Sequence, residues 1–195
     1  MTEPPPIALD TDRLSLRLAS PREAEAVVDY FARNREHFAR WDPRKPPGFY
    51  DPAFWRPRLE IEAQAALADR AYRLFVFTRS GATDRIVGQA HFANIVRGAF
   101  HCCHLGFSID RELEGQGLMH EALTRAIAFA FDDVRLHRIE ANHRPENVRS
   151  ARLLRRLGFV PQGYARDYLR IDGEWRDHVL TALVNERWTE IDAGG

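Results

Sequence analysis

The chain has 195 residues, and its 28 lysines and arginines are balanced by 28 aspartates and glutamates, so one domain of ordinary size is expected, without an overall field for nucleic acid. A mean hydropathy of −0.43 and the lack of any long apolar run exclude a transmembrane helix, and MTEPPPIALD has neither the basic start nor the apolar stretch of a signal peptide. Two cysteines, adjacent at Cys102 and Cys103, imply free thiols in a reducing compartment, hence a cytoplasmic protein.

In chain order, residues 1–8, with Pro4 to Pro6, are expected to form a flexible arm, residues 9–190 one domain, and residues 191–195 a flexible tail. RLSLRL (Arg13 to Leu18) alternates as a half-buried first strand. Pro21 starts a helix running to about Arg40. A proline-rich loop, Trp41 to Pro52, separates it from a second helix near Ala53 to Arg70. YRLFVFT, RIVGQAHFANIV and the strand through HCCHLGFSI form a meander, with turns at Ser80 to Asp84 and at Arg97-Gly98. Leu136 to Phe159 is a strand, a loop and a helix. Pro145 breaks the strand, and Asn147 or Glu146 caps the helix. Ala151, Leu154 and Leu157 share one helical face, and Gly158 ends it. Asp172-Gly173 marks a late hairpin.

The most informative stretch is SIDRELEGQGLMHEALTRAIAFAF, Ser108 to Phe131. The apolar strand Leu105 to Ile109 leads into Gly115-Gln116-Gly117, and a helix with an apolar face opens directly behind. Two glycines let the backbone come within hydrogen-bonding distance of a ligand, since no Cβ intervenes. The helix start adds unpaired N–H groups and the positive end of its dipole, which together suit a pyrophosphate. A tight structural turn accounts for a lone GxG equally well. Two other phosphate motifs are excluded. Met119 and His120 follow Leu118 where a P-loop needs lysine and a hydroxyl, and His120 stands where a dinucleotide fingerprint needs its third glycine. A charged carrier bound this way does its chemistry at the far end, which points to an enzyme.

The order of strand, GQG turn and helix, followed by IEANHRPENVRSARLLRRLGF, resembles the Gcn5-related N-acetyltransferase (GNAT) superfamily. Within it the likeness is to the RimJ/RimL branch of ribosomal-protein-alanine N-acetyltransferases, and closest to its RimJ type. The resemblance runs from LDTDRLSLRLAS, through NIVRGAFHCCHLGFSI and GQGLMHEALTRAI, to YARDYLRIDGEWRDHVLTAL, nearly the whole chain. It implies an α/β fold of the α+β kind: a mixed, largely antiparallel sheet of six to seven strands, flanked by about four helices and splayed around acetyl-CoA. It implies transfer of acetyl from acetyl-CoA to the N-terminal amine of a protein, an alanine of a small-subunit ribosomal protein. Ribosome association fits that role, and neither DNA nor membrane is expected as a partner. Two alternatives stay open: a small-molecule amine or antibiotic as acceptor, and a non-catalytic acyl-CoA-binding or ribosome-assembly module. One departure stands out. The superfamily pattern Q/R-x-x-G-x-G/A begins here with Glu112, and Glu114 directly precedes Gly115. Beside a diphosphate these carboxylates must point to solvent or pair with Arg111.

By the same resemblance, acetyl-CoA is held by Phe107, Ser108 and Ile109 on the splayed strand and by Gly115, Gln116 and Gly117 in the loop. Leu118, Met119 and His120 at the helix start, and Asn147 near the thioester, complete the set. Backbone N–H groups between Leu105 and Ile109 are the implied oxyanion donors. Ser150, inside the first turn of the later helix, is the candidate proton donor to the departing thiolate. Glu140 is the candidate base or amine-positioning carboxylate. Plainer explanations stand beside these: Asn147 as a helix N-cap, Ser150 as a small residue packing a turn, Glu140 as a strand residue paired with an arginine. An α-amine, with a reference pKa of about 7.7–8.0 against about 10.4 for lysine, needs less help from a base. His104 is a weaker candidate for proton relay, Arg149 and Arg152 for the adenosine phosphates, and Trp41, Trp55 and Trp175 for a peptide groove. The run His101-Cys102-Cys103-His104 is expected to hold no metal, because alternate strand residues point to opposite faces.

Overall fold

The structure, a computed structural model, describes residues 7–79 and 85–189. The arm through Pro6, the turn expected at Ser80 to Asp84 and the tail at 191–195 lie outside the described residues. Eight strands form one sheet: β1 (Ala8–Asp10), β2 (Leu14–Arg17), β3 (Tyr72–Thr78), β4 (Ile86–Val96), β5 (Cys102–Ile109), β6 (Arg138–Glu140), β7 (Val160–Ile171) and β8 (Glu174–Val184). Their order is β1-β2-β3-β4-β5-β6-β8-β7, and β5–β6 is the parallel pair in an otherwise antiparallel sheet. The strand beyond the expected six to seven is β1. Its buried Leu9 faces the core, and the strand takes Ala8 from the expected arm.

Five α-helices flank the sheet: α1 (Ala24–Arg33), α2 (Arg35–Ala39), α3 (Pro52–Leu67), α4 (Leu118–Asp132) and α5 (Val148–Arg156). The helix expected from Pro21 to Arg40 is in fact a 3-10 turn at Pro21–Glu23 followed by α1 and α2, divided at Asn34. That asparagine is buried and bonded. Its side-chain nitrogen donates to Tyr30 O at 2.9 Å, and its Oδ1 accepts the Arg111 N–H at 3.0 Å. The break is therefore tied to the segment just before the glycine loop. Helix α3 stops at Leu67, short of Arg70.

Strand alternation sets two layers. On β3, Leu74 and Val76 face a core shared with α4 and α5, whereas Phe75 and Phe77 face a second core beneath α1 and α3. Along β5, Cys103 and Leu105 join the first core. Ser108 turns the other way and meets Tyr30 of α1. The hairpin at Asp172-Gly173 forms as expected, with φ of 47° and 84°, the left-handed pair that a tight two-residue turn requires.

One topological feature positions the site. β5 pairs with β6 over Cys102 to His104 against Arg138 to Glu140. Beyond that, β5 continues to Ile109, while the chain after Glu140 keeps to β8, the Ala141 N–H donating to Thr181 O at 3.0 Å. The two neighbours part, and a slot opens along the second half of β5.

Candidate active site

Backbone direction makes this slot chemically useful. His101 O accepts from the N–H groups of His137 and Arg138 on the β6 side, at 2.9 and 3.0 Å. At the other end, the Asp110 N–H donates to Val87 O on the β4 side at 2.7 Å. Strand alternation between these ends turns the N–H groups of Phe107 and Ile109 toward the slot. Those of even-numbered residues, Ser108 included, turn toward β4.

The glycine loop stands at the C-terminal end of β5. Gly115 and Gly117 have φ of 78° and 79°, a conformation that costs other L-residues energy. A Cβ built on Gly115 would meet nothing within 4 Å, so the backbone angle rather than crowding calls for glycine there. Gly117 is the N-cap of α4 and offers no side chain to cap it. The first N–H groups of the helix are left to accept an anion. Leu118 and Met119 bury their side chains in the core, so they can serve a phosphate through their backbone alone. Gln116 is occupied in holding the loop: its amide donates to Glu112 O at 3.1 Å, and its carbonyl accepts from Arg13 at 3.3 Å. Arg13 is itself fixed by Glu121 at 2.7 Å, which locks the β1–β2 turn onto the first turn of α4. His120 lies on the half-exposed side of α4.

Asp110 supports the loop from below. It is buried, accepts from Arg33 at 2.7 Å and Arg85 at 3.0 Å, and caps the short turn at Arg111–Leu113. The two unusual glutamates do not pair with Arg111. Glu112 is exposed and lies 3.6 Å from Arg85. Glu114 is paired with Arg149 on the first turn of α5 and lies 3.4 Å from His37 on α2. Burial, with Arg111 and Arg149 nearby, holds His37 below the ordinary imidazole value. Glu114 is thus compensated from across the site, and it engages Arg149, one of the two arginines considered for the adenosine phosphates.

At the start of α5, Asn147 is the N-cap, its Oδ1 accepting the Ser150 N–H at 3.1 Å. This brings the two residues together at the end of the chain segment leaving β6, with the Ser150 side chain half-buried. Glu140 sits on β6 opposite His104 of β5. Arg138 donates to it at 2.9 Å, and His104 Nε2 lies 3.5 Å away. The arginine pairing expected of a plain strand residue is therefore present, but so is a histidine on the paired strand. The buried His104 Nδ1 has no partner among the described residues.

The tryptophans divide. Trp55 is core, stacked on Phe31 and donating to Phe49 O at 2.8 Å, and it borders a small cavity together with Arg73 and Gln89. Trp41 lies between Arg40 and Arg144, and Trp175 is exposed on the hairpin. The proline-rich loop and the hairpin turn touch: the Asp172 N–H donates to Asp42 O at 3.2 Å. Arg35, Lys45 and Tyr50 line a groove beside this contact. In the run 101–104, Cys102 and Cys103 are buried on opposite faces and the histidines part. Burial pushes the Cys102 thiol up to about 11, and Cys103 is raised as well.

Sequence reasoning missed a polar chain beneath α1 and α3. Glu62, Arg73, Gln89, Ser108 and Tyr30 are joined by successive hydrogen bonds of 2.8, 2.7, 3.1 and 2.9 Å. Its only signal in the sequence is a polar residue at an inward position of two apolar strands, Arg73 in YRLFVFT and Gln89 in IVGQAHF.

A sheet split beside one parallel pair, with a glycine loop and a helix start at the end of the split strand, defines an acyl-CoA-dependent transferase. Residues 13–160 match the acetyltransferase (GNAT) domain family, and the chain belongs to that family. It is an N-acetyltransferase whose acetyl donor is acetyl-CoA. It is 45% identical over 185 residues to the [ribosomal protein uS5]-alanine N-acetyltransferase of Escherichia coli (strain K12), covering 95% of this chain and 94% of that protein. The structure of ribosomal-protein-S5-alanine acetyltransferase from Vibrio fischeri matches with a TM-score of 0.90 and 35% identity, over 94% of this chain and all of that one. Mycobacterium smegmatis RimJ in complex with CoA-disulfide matches with a TM-score of 0.85 and 26% identity, over 97% and 93% of the two chains.

Proposed function

We propose that this enzyme acetylates the α-amine of a protein N-terminus, an alanine on a small-subunit ribosomal protein, in the cytoplasm where ribosomes are assembled. The observation that carries this is the 45% identity to the uS5-alanine enzyme. At 95% coverage of this chain, it takes in the proline-rich loop and the late hairpin that flank the acceptor side as well as the cofactor loop.

The chemistry fits the site. Acetyl-CoA supplies an activated acetyl group as a thioester. The chain's own part begins with the N–H groups at Gly117 to His120, which hold the diphosphate at the start of α4. The N–H groups of Phe107 and Ile109 stabilise charge that develops on the carbonyl oxygen. Asn147 fixes the first turn of α5, and the Ser150 hydroxyl delivers a proton to the leaving sulfur. Glu140, held by Arg138 and beside His104, receives the proton that the ammonium sheds. At pH 7, roughly a tenth of α-amines are already neutral, against fewer than about one lysine in a thousand. A modest base therefore suffices for an N-terminus.

Thiol release from acetyl-CoA tests this with two peptides: one with a free N-terminal alanine and no lysine, the other blocked at its N-terminus and rich in lysine. Turnover on the first alone is expected. Turnover on neither, with acetyl-CoA still bound, would replace the protein acceptor by a small-molecule amine or leave a binding module.

A further inference from the structure

The polar chain from Glu62 to Tyr30 has a direction, and bond counting fixes it. Arginine has donors only, so Arg73 gives hydrogens to both Glu62 and Gln89 Oε1. Gln89 must then turn its NH2 toward Ser108, to which it donates at 3.1 Å. The remaining link joins two hydroxyls, Tyr30 and Ser108, at 2.9 Å. Tyr30 has 0% of its surface exposed, and its hydroxyl meets no acceptor but Ser108 among the described residues. A fully buried hydroxyl does not leave its hydrogen unbonded, so Tyr30 is the donor. Both lone pairs of Ser108 Oγ are then filled, by Gln89 and by Tyr30. Its own hydrogen is left over, and Ser108 is half-buried rather than sealed.

That hydrogen has one side on which to act. Ser108 lies on the split half of β5, and its side chain stands on the α1 side of the sheet. The helix starts that serve acetyl-CoA belong to α4 and α5, which pack on the opposite face. The thioester carbonyl is served in the plane of the sheet by N–H groups of Phe107 and Ile109. A substrate on the α1 side is the acceptor. A serine with both lone pairs occupied cannot take a proton from an ammonium, so it acts as a donor to an oxygen.

We infer that the Ser108 hydroxyl, oriented by Gln89 and Tyr30, donates a hydrogen bond to the first carbonyl oxygen of the acceptor's N-terminal residue, and that Arg73 and Glu62 are positioning residues that hold Gln89 in its donating orientation. This rests on the acetylation of a protein N-terminus proposed above. It adds a requirement for a peptide carbonyl next to the amine, which a simple alkylamine lacks.

The test uses the full chain, the alanine peptide at varied concentration with saturating acetyl-CoA, and calorimetric binding of acetyl-CoA. Ser108→Ala is expected to raise the KM for the peptide about tenfold, the size of one lost hydrogen bond, with acetyl-CoA affinity unchanged, because any contact Ser108 makes to the cofactor is through its backbone, which alanine keeps. Gln89→Glu keeps the serine and is expected to have the same effect. A carboxylate there only accepts, so it takes the Ser108 hydrogen away from the substrate. The double variant is expected to be no worse than either single one. Tyr30→Phe is expected to stay within about threefold of wild type, because Ser108 still donates outward. A normal peptide KM in Ser108→Ala, or in a folded Gln89→Glu, would overturn the inference. So would an equal loss of acetyl-CoA affinity. A wild type that turns over neither peptide would instead sink the function and the inference together, whereas an active wild type with indifferent variants sinks the inference alone.

Discussion

Asn147 has one task the structure shows and one we propose, and substitution can separate them. As N-cap it accepts the Ser150 N–H, and replacing such a cap with alanine costs about 1 kcal/mol. Asn147→Ser restores a capping oxygen but not an amide. If the amide also bonds acetyl-CoA, Asn147→Ala lowers both the melting temperature and acetyl-CoA affinity. Asn147→Ser then recovers the melting temperature only. Recovery of both would reduce the residue to a cap. The Asn147 cap was legible in the sequence because capping is local, acting over three residues. Tyr30 and Gln89 were not, since Tyr30 reaches Ser108 across 78 residues and nothing in either segment announces the other. Glu114 was misjudged for the same reason. Its partner Arg149 lies on another helix, not on the neighbouring residue that local spacing offered.

Among elements, the strand–loop–helix units were readable from apolar periodicity and glycine, while the splitting of the first helix was not. Asn34 is a modest helix former whose local bias alone does not place a break. It interrupts the helix because its side chain is committed to Tyr30 O and to the Arg111 N–H, a tertiary demand that local propensity does not carry. β1 was overlooked because three residues are too few to show alternation. At the start of α4, Gly117→Ala makes the test of the cofactor loop. Its φ of 79° disfavours alanine, while the nearest atom to an added Cβ is the Arg13 guanidinium at 3.8 Å. A stability loss of about 1 kcal/mol is expected from backbone strain. Acetyl-CoA affinity should fall by more than tenfold, since a strained helix start no longer aims its N–H groups. A variant with the stability loss and normal affinity would place the diphosphate elsewhere.

At the scale of the whole molecule, the sheet is a partition with one opening. Residues of α1 and α3 fill one side, and residues of α4, α5 and β5 fill the other. The resemblance predicted the splayed sheet correctly, but which polar groups lie on which side emerged only from strand register. The partition has a kinetic consequence. On the arrangement proposed above, donor and acceptor come to the opening from opposite sides, so neither blocks the other's entry, and both can be present at once. A covalent acetyl-enzyme would need a reactive nucleophile in the wall. Cys102 and Cys103 are buried, with thiols raised well above neutrality, and the Ser108 oxygen is already saturated with hydrogen bonds. Initial rates measured with both substrates varied should therefore give intersecting double-reciprocal lines. Parallel lines, or acetyl label retained on the protein after acetyl-CoA alone, would mean that the partners take turns.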